Sequence, residues 1–217
     1  MKAIPLFALI VVCAGADFRS REKTWEKEIQ GIEARITKSD QPKGGIVFAG
    51  SSSTRLWDLK KSFPDWNATN CGFGGSQIRD SSAFFARIIL PLKPKAVVLY
   101  AGDNDVNSKR APEMIYEDFI TFQNILHASL PECQLYFICI KPSVARWNQF
   151  ETQSKVNLLI REYCEKEPRL TYVDVVPGML MDGKPDPNLF VKDGLHMSPK
   201  GYEIWTAKLR EAMKSGK

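Results

Sequence analysis

Residues 45 to 57 read GIVFAGSSSTRLW: an apolar run ends at Gly50 and passes directly into three serines, Ser51, Ser52 and Ser53. Such a run, rich in β-branched and aromatic residues and without polar alternation, is the pattern of a strand covered on both faces. Four further runs have strand length: ATNCG (68–72), AVVLYA (96–101), QLYFICI (134–140) and LTYVDV (170–175). Single-faced helical stripes stand before, between and after them: Trp25, Ile29, Ile32 and Ile36; Ile115, Phe119, Phe122 and Leu126; Val156, Leu159, Ile160 and Tyr163; Tyr202, Trp205 and Leu209. An apolar residue every third or fourth position marks one buried helix face, so these aromatics are read as core. Strands alternating with helices predict an α/β fold, a parallel sheet sandwiched between helix layers. Ligands of such sheets bind beyond the carboxyl ends of the strands, which directs attention to loops 51–55, 72–77, 102–108, 141–148 and 176–197.

The 217 residues fit one domain over 17–217, because single cores stop growing only near ~250–300 residues. The net charge of +5 is mild, and basic residues are interleaved with acidic ones, as in REKTWEKEIQ, which is the pattern of a solvated helix face. Nucleic acid is therefore not an expected partner. Residues 1–16 differ from the rest: Lys2 opens a short charged start, Ile4 to Val12 is almost wholly apolar, and Ala14-Gly15-Ala16 supplies small residues. This is the layout of a cleavable signal peptide, with cleavage expected after Ala16 and a secreted or periplasmic product. The run is about half the ~20 apolar residues a membrane span needs. A lipid anchor on Cys13 is disfavoured by Val12, which stands where a small residue is needed. Cys71, Cys133, Cys139 and Cys164 remain, open to disulfide pairing or to burial as free thiols. Asn67-Ala68-Thr69 would be a glycosylation acceptor only in a eukaryotic secretory pathway.

The loops carry the chemistry. A serine between the first strand and a helix can present its hydroxyl to the cleft, although serine is also a good N-cap. Thr54 stands where the Gly-x-Ser-x-Gly elbow requires a second glycine, so the elbow of α/β-hydrolases is excluded. In NCGFGGSQIRD, Gly72, Gly74 and Gly75 free the backbone to aim amides at an oxyanion, or simply to turn. No Gly-Lys-Ser/Thr follows, which excludes a phosphate-binding P-loop. In AGDNDV, Asn104 can donate its side-chain amide, while Asp103 and Asp105 are candidates for loop caps or cation ligands. His127 falls late in an amphipathic helix, where a surface or helix-terminus role is expected. His196 sits in VKDGLHMSPKGY, three residues after Asp193, so the carboxylate can hold one ring nitrogen and leave the other as a base. Ser198-Pro199 then reads as a helix start. Together these residues supply a nucleophile, oxyanion donors, a base and its orienting group. Arg146, Trp147, Phe150, Met179 and Met181 are candidate walls of a substrate site.

These four blocks, in this order from about Gly45 to Tyr202, resemble the SGNH (GDSL-type) hydrolases. Gly50-Ser51-Ser52 is similar to the Gly-Asp-Ser block, with Ser51 in the place of Asp, and implies Ser52 as nucleophile. GFGGS points to the amide of Gly75, Gly102-Asp103-Asn104-Asp105 matches Gly-x-Asn-Asp, and Asp193-Gly194-Leu195-His196 matches Asp-x-x-His. The resemblance implies a catalytic set of Ser52, His196 and Asp193, with an oxyanion hole of the Ser52 and Gly75 amides and the Asn104 side chain. It also implies a flavodoxin-like five-stranded sheet of order 2-1-3-4-5 and hydrolysis of esters, thioesters or acetylated sugars without metal or other cofactor. The expected partner is a small-molecule ester or an acylated carbohydrate or lipid. Two other readings stand beside this one: a metal-assisted phosphoesterase using Asp103, Asp105 and Asp193, and a non-catalytic carbohydrate or lipid binder on the same fold.

Overall fold

In the computed structural model, residues 7–38 and 43–214 are described, with side chains from residue 23 onward. Of the expected leader, residues 1–6 lie outside the described residues, and residues 7–16 are described only as helical backbone. The strands are β1 (Ile46–Gly50), β2 (Ala68–Gly72), β3 (Ala96–Tyr100), β4 (Gln134–Ile138) and β5 (Leu170–Val173). They form one parallel sheet of order β2-β1-β3-β4-β5, as expected, in which Gly50 pairs with Gly72 on one side and Tyr100 on the other. The helices are α1 (Phe7–Lys38), α2 (Ser52–Arg55), α3 (Leu59–Ser62), α4 (Ile78–Ala83), α5 (Phe85–Ile88), α6 (Asp103–Asn107), α7 (Pro112–Ser129), α8 (Phe150–Cys164), α9 (Val176–Met179) and α10 (Pro199–Lys214).

The two-residue periodicity of a strand divides the core. Val47, Ala49, Val97, Leu99, Leu135 and Phe137 face one layer, where they meet Ile29 and Ile32 of α1, Phe119 and Phe122 of α7, and Val156 and Ile160 of α8. Ile46, Phe48, Val98, Tyr100 and Ile138 face the other, against Trp57, Phe63, and Trp205 and Leu209 of α10. Phe119, Phe122, Ile160 and Trp205 are all fully buried, and each large apolar side chain so placed contributes about 1.5–3 kcal/mol. β2 is the least buried strand because it lies at the sheet edge, which accounts for its polar Thr69 and Asn70. A short antiparallel pair, Leu180–Met181 with Lys184–Pro185, turns at Asp182-Gly183 and was not expected from the sequence.

Cys71, Cys133, Cys139 and Cys164 are free and buried, and burial pushes each thiol up to about 12. They are inert apolar fillers in this state. No helix among the described residues is long and apolar enough to cross a membrane.

Candidate active site

The chain leaves β1 at Gly50, whose φ of +121° only glycine adopts readily, and a Cβ there would lie 1.9 Å from the Tyr100 carbonyl oxygen. This close approach lets Ser51 N–H donate to Tyr100 O at 2.9 Å and starts α2 at the next residue. Ser51 occupies the N-cap position but makes no side-chain capping bond, and both Ser51 and Ser53 are buried. Ser52 differs. Its Oγ lies 3.0 Å from His196 Nε2. Of the three serines, Ser52 is thus the one whose hydroxyl meets the histidine.

The loop that brings His196 to this point is held at several places. Val191 N–H donates to His196 O at 2.8 Å, Gly194 N–H to Val191 O at 2.9 Å, and Ala145 N–H to Gly194 O at 3.0 Å. Asp193 Oδ1 accepts from the Leu195 and His196 amides at 2.8 and 2.9 Å, while its Oδ2 lies 2.6 Å from His196 Nδ1. A carboxylate accepts, so this contact places the proton on Nδ1 and leaves Nε2 to accept from the Ser52 hydroxyl. Partial burial works to raise the Asp193 carboxyl, but the His196 ring and the two amides outweigh it and hold the group down at about 2. Pro199 opens α10, as the sequence implied, and Ser198 Oγ donates to Asn188 O.

The second and third loops meet beside α2. Phe73 N–H donates to Gly50 O at 2.9 Å, and a Cβ on Gly72 would strike the Arg55 backbone at 2.5 Å, so the glycine-rich turn packs directly on α2. Gly75 has a φ of +73° and open space around the place of its missing Cβ. Asn104 Nδ2 donates to Ser76 O at 3.0 Å, which ties its side-chain amide to the residue that follows Gly75 in the chain. Arg146 Nη1 donates to Asn104 Oδ1 and to Asp103 O, both at 3.2 Å, and pairs with Asp103 Oδ2 at 2.9 Å. The guanidinium thereby fixes which end of the Asn104 amide is the donor. The sequence marked Arg146 only as a wall residue; its place in a loop following β4 was the available signal.

The three aspartates of the metal reading do not converge. Asp103 is bound by Arg146 and by Gln153 Nε2 at 2.9 Å; Asp105 is buried against the Ile78 amide and Arg110; Asp193 serves His196. No group of three histidine, cysteine, aspartate or glutamate side chains among the described residues is arranged to hold a metal ion. His127 lies in the last turn of α7, in keeping with the helix-terminus alternative, but it is buried rather than at the surface, with Nδ1 2.7 Å from Gln123 Nε2 and Nε2 3.0 Å from Cys133 O. Met179 is no wall residue either, because it lies in the core with its sulfur accepting from Trp205 Nε1. Trp147 and Phe150 stack on one another at 4.7 Å, and Met181 is exposed. A groove of about 620 Å³ is lined by Leu56, Met197 and Tyr202, and neither Ser52 nor His196 is among its lining residues.

Residues 48–204 match the model of the GDSL-like Lipase/Acylhydrolase family. No curated protein matches the chain. Among solved structures, a GDSL-like lipase from Bacteroides thetaiotaomicron is similar with a TM-score of 0.70 at 20% identity, over 88% of this chain and 96% of that one. A carbohydrate esterase family 3 protein from Talaromyces cellulolyticus gives 0.62 at 17% identity, over 79% and 96%. An acetyl-xylooligosaccharide esterase from Geobacillus, in a mutant form, gives 0.61 at 14% identity, over 79% and 95%. At these identities the structures share the fold. The family match covers most of the chain and includes every block of the site, and the chain belongs to the GDSL-like lipase/acylhydrolase family.

Proposed function

We propose that this chain is an exported serine esterase that cleaves carboxylic esters through an acyl-serine intermediate. The observation that carries the reading is the unbroken line from Ser52 Oγ through His196 to Asp193, with contacts of 3.0 and 2.6 Å. His196 Nε2 takes the hydroxyl proton as Ser52 Oγ attacks the ester carbonyl. The negative charge that develops on the carbonyl oxygen is met by the Ser52 and Gly75 amides and the Asn104 side chain. Asp193 stabilises the imidazolium, which then gives its proton to the departing alcohol. Water, deprotonated by the same nitrogen, attacks the acyl group and restores Ser52. Treatment with a fluorophosphonate, followed by peptide mass spectrometry, is expected to find one adduct, on Ser52; an unlabelled Ser52 in active protein contradicts the reading.

Short acyl groups, such as acetyl on a carbohydrate, are the substrates this reading favours. The chain has no long insertion that would form a lid over the strand-end loops. Acetyl esterases share the fold, which supports the same preference. Hydrolysis of p-nitrophenyl esters is expected to fall steeply from acetate to palmitate, and efficient long-chain turnover with negligible acetate turnover overturns the preference. Export rests on the leader at residues 1–16 and predicts a mature protein that begins at Asp17.

A further inference from the structure

The Trp25 side chain of α1 reaches across the glycine-rich turn, and its Nε1–H donates to the Gly74 carbonyl oxygen at 2.6 Å. That oxygen and the Gly75 N–H belong to one peptide unit. A peptide unit is planar, and all those described are trans, so the N–H points opposite to the C=O. Fixing one end of the unit fixes the direction of the other.

The Gly74–Gly75 unit needs an external hold. It is flanked by two glycines, which let a peptide plane rotate at little steric cost. Nothing lies within 4 Å of the place of a Gly75 Cβ, and the nearest group to that of Gly74 is the flexible end of Arg55 at 3.3 Å. Trp25, by contrast, is firmly seated. It is buried edge-on against Phe73 with ring centroids 5.9 Å apart, and its helix is held by fully or nearly fully buried Ile29 and Ile32. Glu26 and Glu33 of the same helix both grip Arg87 of α5, with contacts of 2.7 Å.

We propose that Trp25 is a positioning residue of the oxyanion hole: its indole N–H sets the peptide plane that aims the Gly75 amide at the developing negative charge. This rests on the assignment of Gly75 as an oxyanion donor made above. α1 thereby does more than cover the sheet; it sets the orientation of a group that acts in the transition state.

The test is Trp25→Phe, which keeps an aromatic ring against Phe73 and removes the donor, with Phe122→Leu of α7 as a variant that loosens the same core layer away from Trp25 and leaves its seat and donor in place. Trp25→Phe is expected to lower kcat about tenfold, part of the ~100–1,000-fold cost of losing an oxyanion donor outright, with KM within about twofold. Affinity for a boronic acid that forms a tetrahedral adduct on Ser52 falls by the same factor. Phe122→Leu lowers Tm and leaves kcat near wild type. Wild-type kcat in Trp25→Phe, or an equal fall in Phe122→Leu, overturns the inference. Ser52→Ala in the same assay separates the two levels: if it abolishes activity while Trp25→Phe does not change kcat, only the role of Trp25 fails. If Ser52→Ala keeps activity, both readings fail.

Discussion

His196 Nε2 lies 3.0 Å from the hydroxyl of Ser52, a residue 144 positions away in the chain. The contact exists because β1 ends at Gly50 and the loop before α10 returns to the same edge of the sheet. One consequence concerns the partner of the histidine. Asp193→Asn keeps the shape of the contact but offers an amide that no longer selects the Nδ1–H tautomer. The expected fall in kcat is roughly 100- to 10,000-fold, toward the lower end because the Asp193 side chain is about half exposed here. Steady-state kinetics on p-nitrophenyl acetate check this, and a fall of less than about threefold contradicts the role of Asp193 as orienting group.

Asn104→Ala removes a side-chain donor and is expected to cost about 100- to 1,000-fold in kcat with little change in KM. Arg146→Ala leaves the donor in place but frees the amide that the guanidinium holds by its oxygen at 3.2 Å. Its effect should be smaller, roughly tenfold, because only the aim of the donor is lost. Equal losses in the two variants, measured as kcat, would show that Arg146 acts otherwise.

Much of this arrangement is legible in the sequence, for physical reasons. A strand buried on both faces must be apolar throughout, so β1, β3 and β4 stand out as uninterrupted runs, and the edge strand β2, with Thr69 and Asn70, is faint. The loops after the strands carry four blocks at the spacing of the family pattern, which makes Ser52, Asn104, Asp193 and His196 stand out as candidates. What the sequence hides is decided by contacts across the fold. His127 is the helix-end residue the sequence suggests, but only the fold brings the Cys133 carbonyl to its ring and buries it. Met179 resembles a loop residue until Trp205 settles against it. Trp25 is rightly read as core, but only the structure shows where its N–H points. The turn at Asp182-Gly183 was within reach, since Asp-Gly is a strong hairpin signal.

Asp105 couples stability to pH. Burial, opposed by the Arg110 guanidinium, raises its carboxyl to about 7, against 3.8 for the unperturbed group. Between those values the native state holds a proton that the unfolded chain does not, so stability falls as pH rises through that window. Asp105→Asn can still accept from the Ile78 amide and carries no charge to bury. Thermal melts of the variant and wild type from pH 4 to 8 should diverge in favour of the variant as pH rises. Melting curves whose separation is constant across that range contradict the assignment.

Gly50→Ala tests the close approach at the head of β1. A Cβ 1.9 Å from the Tyr100 carbonyl oxygen, on a residue with φ +121°, cannot be housed without moving β3 or Ser52. Urea unfolding is expected to show a loss of about 3 kcal/mol or more, with activity lost alongside. A variant of wild-type stability would mean that the turn is far more pliable than its geometry implies.

The most direct measurement is hydrolysis of p-nitrophenyl acetate by the wild-type protein, Ser52→Ala and His196→Ala, each with and without a chelator. Chelator-resistant turnover that falls by at least about 1,000-fold in both variants is the predicted result. Full activity in folded Ser52→Ala protein, or wild-type turnover abolished by the chelator and restored by a divalent ion, would contradict the serine mechanism.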